Sequence, residues 1–201
     1  DNDPVQFSYE WLIGTQSLSE TLSTLAGPFP ATETVTCRVT PNDGKSDGQP
    51  LEASVSVDNT PPTVSSVTLS PGVVYTNDEI VATAVFDDVD GQSVSASFDW
   101  HVVDFATGVT TIVQSGPDTA LSGVAHFDRD DEVYVVVTPN DGVEDGNSMT
   151  SSGVTVLNTP PTAPSVSASP EPASAGQDDL VCTVDVPSTD ADTDVVYYTY
   201  E

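Results

Sequence analysis

Apolar and polar residues alternate with a period of two through the middle of the chain. Residues 79–86 (Glu-Ile-Val-Ala-Thr-Ala-Val-Phe) and 133–138 (Val-Tyr-Val-Val-Val-Thr) put a β-branched or other apolar side chain at every second position, the signature of a strand with one buried face. Read on the same basis, seven strand candidates follow one another at 64–69, 79–86, 93–103, 109–114, 120–127, 133–138 and 150–157. Turn residues punctuate them. Asp87-Asp88-Val89-Asp90-Gly91 separates the second candidate from the third, and Pro139-Asn140-Asp141-Gly142 follows the sixth.

The pattern repeats. Thr40-Pro41-Asn42-Asp43-Gly44 returns as Thr138-Pro139-Asn140-Asp141-Gly142, 98 residues on (40 to 138). Asn59-Thr60-Pro61-Pro62-Thr63 returns as Asn158-Thr159-Pro160-Pro161-Thr162, 99 residues on (59 to 158). A period of about 100 residues with short strands and turn-rich punctuation predicts an all-β chain of tandem β-sandwich domains. Residues 59–158 form the complete copy. Residues 1–58 match it from the third strand to the seventh, with Tyr9-Glu10-Trp11 aligned on Phe98-Asp99-Trp100, and residues 159–201 match it from the first strand to the start of the third. The Pro-Pro linkers cannot donate ladder hydrogen bonds, so they end strands and act as semi-rigid spacers.

The end of the chain also resembles its beginning. Asp192-Thr193-Asp194-Val195 lines up with Asp1-Asn2-Asp3-Pro4 and Tyr200-Glu201 with Tyr9-Glu10, an offset of 191 (1 to 192). Two arrangements compete: a window onto a longer tandem array, or separate chains that complete one another by strand donation. The window is the expectation, because donation would set residues 192–201 and 1–10 against each other for one strand position.

Charge narrows the function. The 201 residues carry 32 acidic side chains against Arg38, Lys45 and Arg129, a formal net charge of -29. Nucleic acid and anionic lipid are excluded as partners, and so much self-repulsion calls for bound divalent cations or a salty medium. No run of 18 apolar residues and no basic start followed by an apolar stretch occurs, so no membrane insertion and no signal peptide are expected, and the chain reads as an excised or mature piece.

Taken together, Asp-Asp-Val-Asp-Gly before Phe-Asp-Trp, Val-Thr-Pro-Asn-Asp-Gly after the sixth strand and the Thr-Pro-Pro linker resemble the immunoglobulin-like repeats of giant bacterial surface proteins. Polycystic-kidney-disease-type (PKD) and cadherin-like repeats are the nearest named relatives. The resemblance implies immunoglobulin-like sandwiches of about seven strands each, an extracellular or cell-surface location, and neighbouring repeats of the same protein as partners, in a homopolymer or fibre. It also bears on the two cysteines. Cys37 falls in the sixth-strand position of the first copy and Cys182 in the second-strand position of the third, where the central copy is expected to hold Tyr134 and Ala82. In immunoglobulin-like sandwiches such cysteines bridge the sheets over a third-strand tryptophan, which implies partners outside these 201 residues and an oxidising compartment. Buried free thiols are the alternative. A Cys37–Cys182 bond within one chain is not expected, because a whole domain separates the two.

The candidate chemistry is calcium binding. In a sandwich of this kind the loops after the second and sixth strands emerge at the end where the linker enters, so Asp87, Asp88 and Asp90 are expected to meet Asn140, Asp141 and Asp145 beside Asn59. The corresponding groups are Asp1, Asp3, Asn42, Asp43 and Asp47 in the first copy and Asp190, Asp192 and Asp194 in the third. Calcium takes six to eight oxygens, which carboxylates and amides at alternating loop positions supply. By resemblance to cadherin-like repeats, an ion there would stiffen the joint. The competing explanation is plain turn chemistry, since Asp, Asn and Gly favour turns on conformational grounds.

Catalysis has weaker support, and no enzyme is expected. His101 and His126 read as strand residues without metal-ligand spacing. Glu10 and Asp99 precede tryptophans but occupy equivalent positions in separate copies, so they do not make a carboxylate pair. Trp11 and Trp100 read as core anchors rather than sugar platforms. No Asn-x-Ser/Thr acceptor is present. The expected role is a non-catalytic structural repeat of an extracellular fibre, stalk or adhesin. An adhesive module binding glycan or protein through loops such as Phe105-Ala106-Thr107-Gly108, and an accessory domain of a secreted hydrolase, are the other readings.

Overall fold

A computed structural model describes residues 4–200, and Asp1, Asp3 and Glu201 lie outside the described residues. Strands account for nearly all regular structure. The first repeat contributes β1 (Gln6–Ile13), β2 (Gln16–Ser17), β3 (Thr34–Asn42) and β4 (Leu51–Ser56), hydrogen-bonded antiparallel in the order β2-β1-β3-β4. In the central repeat follow β5 (Thr63–Ser70), β6 (Val74–Tyr75), β7 (Glu79–Asp87), β8 (Ser95–Val103), β9 (Thr110–Gly116), β10 (Ala120–Ser122), the one-turn helix α1 (Gly123–His126), β11 (Glu132–Asn140), β12 (Met149–Thr150) and β13 (Val154–Leu157). The third repeat adds the hairpin of β14 (Ser165–Ser169) and β15 (Val181–Val186).

The central repeat is a two-layer structure. One layer is β10-β7-β5 and the other β6-β13-β11-β8-β9, with β12 also paired to β11 and β6 running parallel to β13. The period-two pattern explains the core between them. On β11, Val133, Val135 and Val137 are fully buried while Tyr134 and Val136 face outward; on β8, Phe98, Trp100 and Val102 turn inward against Ile80 and Ala82 of β7 and Leu121 of β10. Burial of each large apolar side chain contributes roughly 1.5–3 kcal/mol. Trp100 sits at the centre with its indole N–H donated to the Asp118 carbonyl at 3.3 Å, so the buried ring keeps a hydrogen-bond partner. On the outer face, His101 stacks on its cross-strand neighbour Tyr134 with ring centroids 4.7 Å apart, a strand residue as the sequence predicts. His126 closes α1 rather than lying in a strand.

Three strand assignments differ from expectation. The 120–127 candidate stops after three residues and turns into α1. Gly123 makes this bend: its N–H donates to the Asp78 carbonyl at 2.7 Å, and a Cβ there would lie 2.5 Å from the Phe127 ring, which the turn carries into the core. The 150–157 candidate splits into β12 and β13 because Ser151 intervenes, its hydroxyl accepting the Val135 N–H at 3.1 Å in place of a ladder partner. In the third repeat residues 187–200 hold no strand. Their counterpart β1 pairs with β3, and a strand without a partner leaves its backbone groups to water.

The flanking sheets have only one layer each among the described residues. On the first, Phe7, Tyr9, Trp11 and Ile13 stand beside Pro41, Cys37, Val39 and Val35 of β3 and Leu51, Ala53 and Val55 of β4, by register on one face. Only Val35 of these is buried, whereas Leu51 is 79% exposed. The opposite face is polar and carries Arg38 between Glu10 and Glu52, each at 2.7 Å. These exposed pairs contribute little to stability.

Candidate metal centre at the repeat junctions

The turn after β7 is built by one carboxylate. Asp88 Oδ1 accepts the N–H groups of Asp90 at 2.9 Å and Gln92 at 3.1 Å, and Gly91 takes the left-handed conformation (φ 74°) that closes the turn. Asp90 Oδ2 then accepts the Thr60 N–H at 2.7 Å, tying the turn to the incoming linker. From the other side, the loop after β11 reaches the same linker. Asn59 Nδ2 donates to Asp141 Oδ2 at 2.8 Å and to Glu144 Oε1 at 2.9 Å. Asp141 Oδ1 is meanwhile held by the N–H groups of Val143 (2.7 Å) and Glu144 (2.8 Å). The Asn59 amide, followed by these backbone donors, holds the Asp141 carboxyl below its ordinary range, because every donor favours the charged form.

Of the residues the sequence nominates here, Asn59, Asp88, Asp90 and Asp141 are therefore joined in one hydrogen-bonded unit. Asp87 is not, for it ends β7 with an exposed side chain. Asn140 and Asp145 bond each other at 2.7 Å and brace the neck of the β11–β12 loop instead. Two further residues, Gln92 and Glu144, belong to the unit although the acidic spacing alone did not select them. A signal for Gln92 exists in the repeat itself, since it falls where the third repeat has Asp194.

That third repeat reproduces the same turn. Asp190 Oδ1 accepts the N–H groups of Asp192 at 2.9 Å and Asp194 at 3.3 Å, Thr193 takes the left-handed conformation (φ 63°) of Gly91, and Asp192 Oδ2 accepts the Thr159 N–H at 2.5 Å. Here the three carboxylates offer oxygens all within 4.8 Å of one another. A cation from the preceding repeat is at hand, for Arg129 Nη1 donates to Asp194 Oδ2 and, at 2.8 Å, to Asn158 Oδ1. In the first repeat, Asn42, Asp43 and Asp47 build only the loop after β3: Asn42 bonds Asp47 at 2.6 Å, and the N–H groups of Ser46 and Lys45 lower the Asp43 carboxyl below its usual range. Their expected companions Asp1 and Asp3 lie outside the described residues.

Hydrogen bonding leaves a specific set of acceptors over. Six buried side-chain oxygens among the described residues have no partner, and five of them, Asn59 Oδ1, Asp88 Oδ2, Gln92 Oε1, Thr159 Oγ1 and Asp192 Oδ1, belong to these two junctions. Each unsatisfied buried acceptor costs about 1–3 kcal/mol. A donor set of carboxylate, amide and hydroxyl oxygens with neither nitrogen nor sulfur suits a hard cation such as calcium and not zinc or copper. The residues present thus fit the ion that the resemblance implies.

Among the described residues neither Cys37 nor Cys182 is in a disulfide. Cys37 is half-buried and Cys182 exposed, so neither is a buried thiol. The register also corrects one equivalence: β3 sets Cys37 opposite Trp11 as β11 sets Val135, not Tyr134, opposite Trp100. Among the described residues no helix is long and apolar enough to cross a membrane. Set against known proteins, the chain matches no family profile and no curated sequence.

Proposed function

We propose that this chain is a run of immunoglobulin-like repeats with a structural, non-catalytic role in an extracellular fibre, stalk or adhesin, its joints stiffened by calcium. One observation carries the reading: partnerless buried oxygens gather at both junctions, on turns that two repeats build with the same hydrogen bonds. At the first junction Asn59, Asp88, Asp90 and Gln92 would hold the ion, and at the second Asp190, Asp192 and Asp194 with Thr159. A divalent ion would supply positive charge and coordination that hydrogen bonds there do not. What the chain itself contributes is position. The linker backbone is fixed to the turn by Thr60 or Thr159, so an ion gripping both would restrict the angle between successive repeats. The three basic residues cannot neutralise this acidity, and Arg38 is already committed to Glu10 and Glu52.

Thermal unfolding in millimolar calcium and in chelator tests the reading. Binding to the folded state alone stabilises by RT ln(1 + [L]/Kd), about 2.7 kcal/mol when the ion is at 100 times its Kd. Equal midpoints in the two media would remove the calcium part of the proposal.

A further inference from the structure

We infer that Arg129 is a tethered cation at the second junction, a regulation of that same site that rests on the calcium reading: it ties the Asp190–Asp194 turn to the linker when calcium is absent and yields its seat when calcium binds. The two junctions are framed alike on the side of the preceding repeat. In the first repeat the Thr32 N–H donates to the Val57 carbonyl at 2.9 Å and the Val57 N–H to the Glu33 carbonyl at 2.8 Å. The central repeat makes the same pair of bonds, from the Asp130 N–H to the Val156 carbonyl and from the Val156 N–H to the Asp131 carbonyl, both at 2.9 Å. Thr32 and Asp130 also share the left-handed conformation (φ 65° and 71°). The residue just before each is therefore set by one backbone frame, and it is Ala31 at the first junction and Arg129 at the second. Across the linker, Gln92 and Asp194 are equivalent in turn, since each donates its N–H to the first carboxylate of its turn, Asp88 or Asp190. Two exchanges thus occur together, a methyl group for a guanidinium and an amide for a carboxylate.

The added pair bridges the two elements that an ion would grip. Arg129 Nη1 donates to Asp194 Oδ2 on the turn and, at 2.8 Å, to Asn158 Oδ1 on the linker. It does so beside three carboxylates whose oxygens lie within 4.8 Å of one another. A guanidinium offsets one of those three charges, whereas a divalent ion offsets two and also coordinates several oxygens at once. Calcium therefore prevails at sufficient concentration, but it must compete with a bond already made to Asp194. The arginine has a second seat to move to. Asp130 Oδ2 is 3.6 Å from Arg129 Nε, and both residues line an open cleft of about 460 Å³ together with Asp128 and Thr193. The guanidinium can swing from Asp194 toward Asp130 there without disturbing the core. Ala31 supplies no such competitor at the first junction.

The test is NMR of the nitrogen-15-labelled full chain and of its Arg129→Gln variant, in chelator and through a calcium titration. Three signals report: the Thr60 N–H for the first junction, the Thr159 N–H for the second, and the Arg129 Nε–H, assigned by its loss in the variant. In chelator the Thr159 N–H of Arg129→Gln should exchange with solvent about two- to fivefold faster than in the parent chain, the factor that corresponds to an exposed ion pair, with Thr60 unchanged. On adding calcium to the parent chain, the Arg129 signal should move in step with Thr159 and not with Thr60. Arg129→Gln should lower the calcium midpoint at Thr159 by about the same two- to fivefold and leave the midpoint at Thr60 where it was. An Arg129 signal that stays fixed while Thr159 titrates would overturn the inference, as would equal Thr159 exchange in the two proteins in chelator. Either result leaves the calcium reading standing. If neither amide responds to millimolar calcium, the calcium reading falls and the exchange of cations falls with it.

Discussion

Replacing Gln92 with Asp converts the turn of the central repeat into the Asp-x-Asp-x-Asp pattern of the third, and the sign of its effect depends on whether calcium binds. In the third repeat the corresponding carboxylate oxygens lie within 4.8 Å of one another. At that spacing two like charges repel by about 0.9 kcal/mol in a water-like dielectric, and Gln92→Asp introduces two such neighbours, Asp88 and Asp90. Screening at physiological salt, with a Debye length of about 8 Å, reduces the total to about 1 kcal/mol. In chelator the variant should therefore unfold earlier, by about 4–8 °C for a cooperative unit of about 100 residues. Calcium reverses this, because the added carboxylate faces a divalent cation instead of two bare anions. Affinity should rise at least about tenfold, equivalent to about 1.4 kcal/mol, so that the variant matches or exceeds the parent protein in millimolar calcium. The assay is a pair of thermal scans on each protein, one in chelator and one in calcium. Equal destabilisation of the variant in both media would refute the reasoning, as would greater stability in chelator.

Truncating the two tryptophans should separate the closed core from the open sheet: Trp100→Ala is expected to cost about 3–5 kcal/mol in urea unfolding, and Trp11→Ala far less in dilute monomer, because its face is uncovered. Asn59→Ala removes the main donor to Asp141, whose carboxyl should rise toward the ordinary carboxylate range in a carbon-detected NMR titration. Since the folded-state pKa of Asp141 lies below the unfolded one, its contribution to stability is present above about pH 4 and disappears as pH falls through the folded value; Asn59→Ala should flatten that acid limb. Arg129→Ala should change the unfolding free energy by less than about 1 kcal/mol, as an exposed pair, yet tighten calcium binding at Asp190, Asp192 and Asp194 in calorimetry, because a competing cation is gone.

Much of the fold was legible because alternation records burial directly. Val133, Val135 and Val137 on one strand and Phe98, Trp100 and Val102 on its neighbour could face only a shared interior. Element ends were less legible, because tertiary contacts set them. Gly123 turns the chain to seat Phe127, and Ser151 interrupts the last strand to bond Val135; neither event leaves a mark on hydrophobic period. At the candidate site, repetition singled out Asp88, Asp90 and Asp141 but also swept in Asp87, Asn140 and Asp145, since turn-forming and ion-holding residues are the same types.

By itself, then, the chain's residue order determined that it makes strands, that the strands recur about every 100 residues, and that acidic turns recur with them. These are properties of local period and turn preference, which neighbours in the sequence set. Only the folded arrangement decided which oxygens remain without partners, that Glu144 meets the linker amide of Asn59 while Gln92 is held by Asp88, and that Arg129 reaches Asp194 across 65 positions. Those outcomes depend on which groups meet after the layers close. Hydrogen-bond satisfaction and burial are sums over contacts far apart in sequence, and no local pattern contains them.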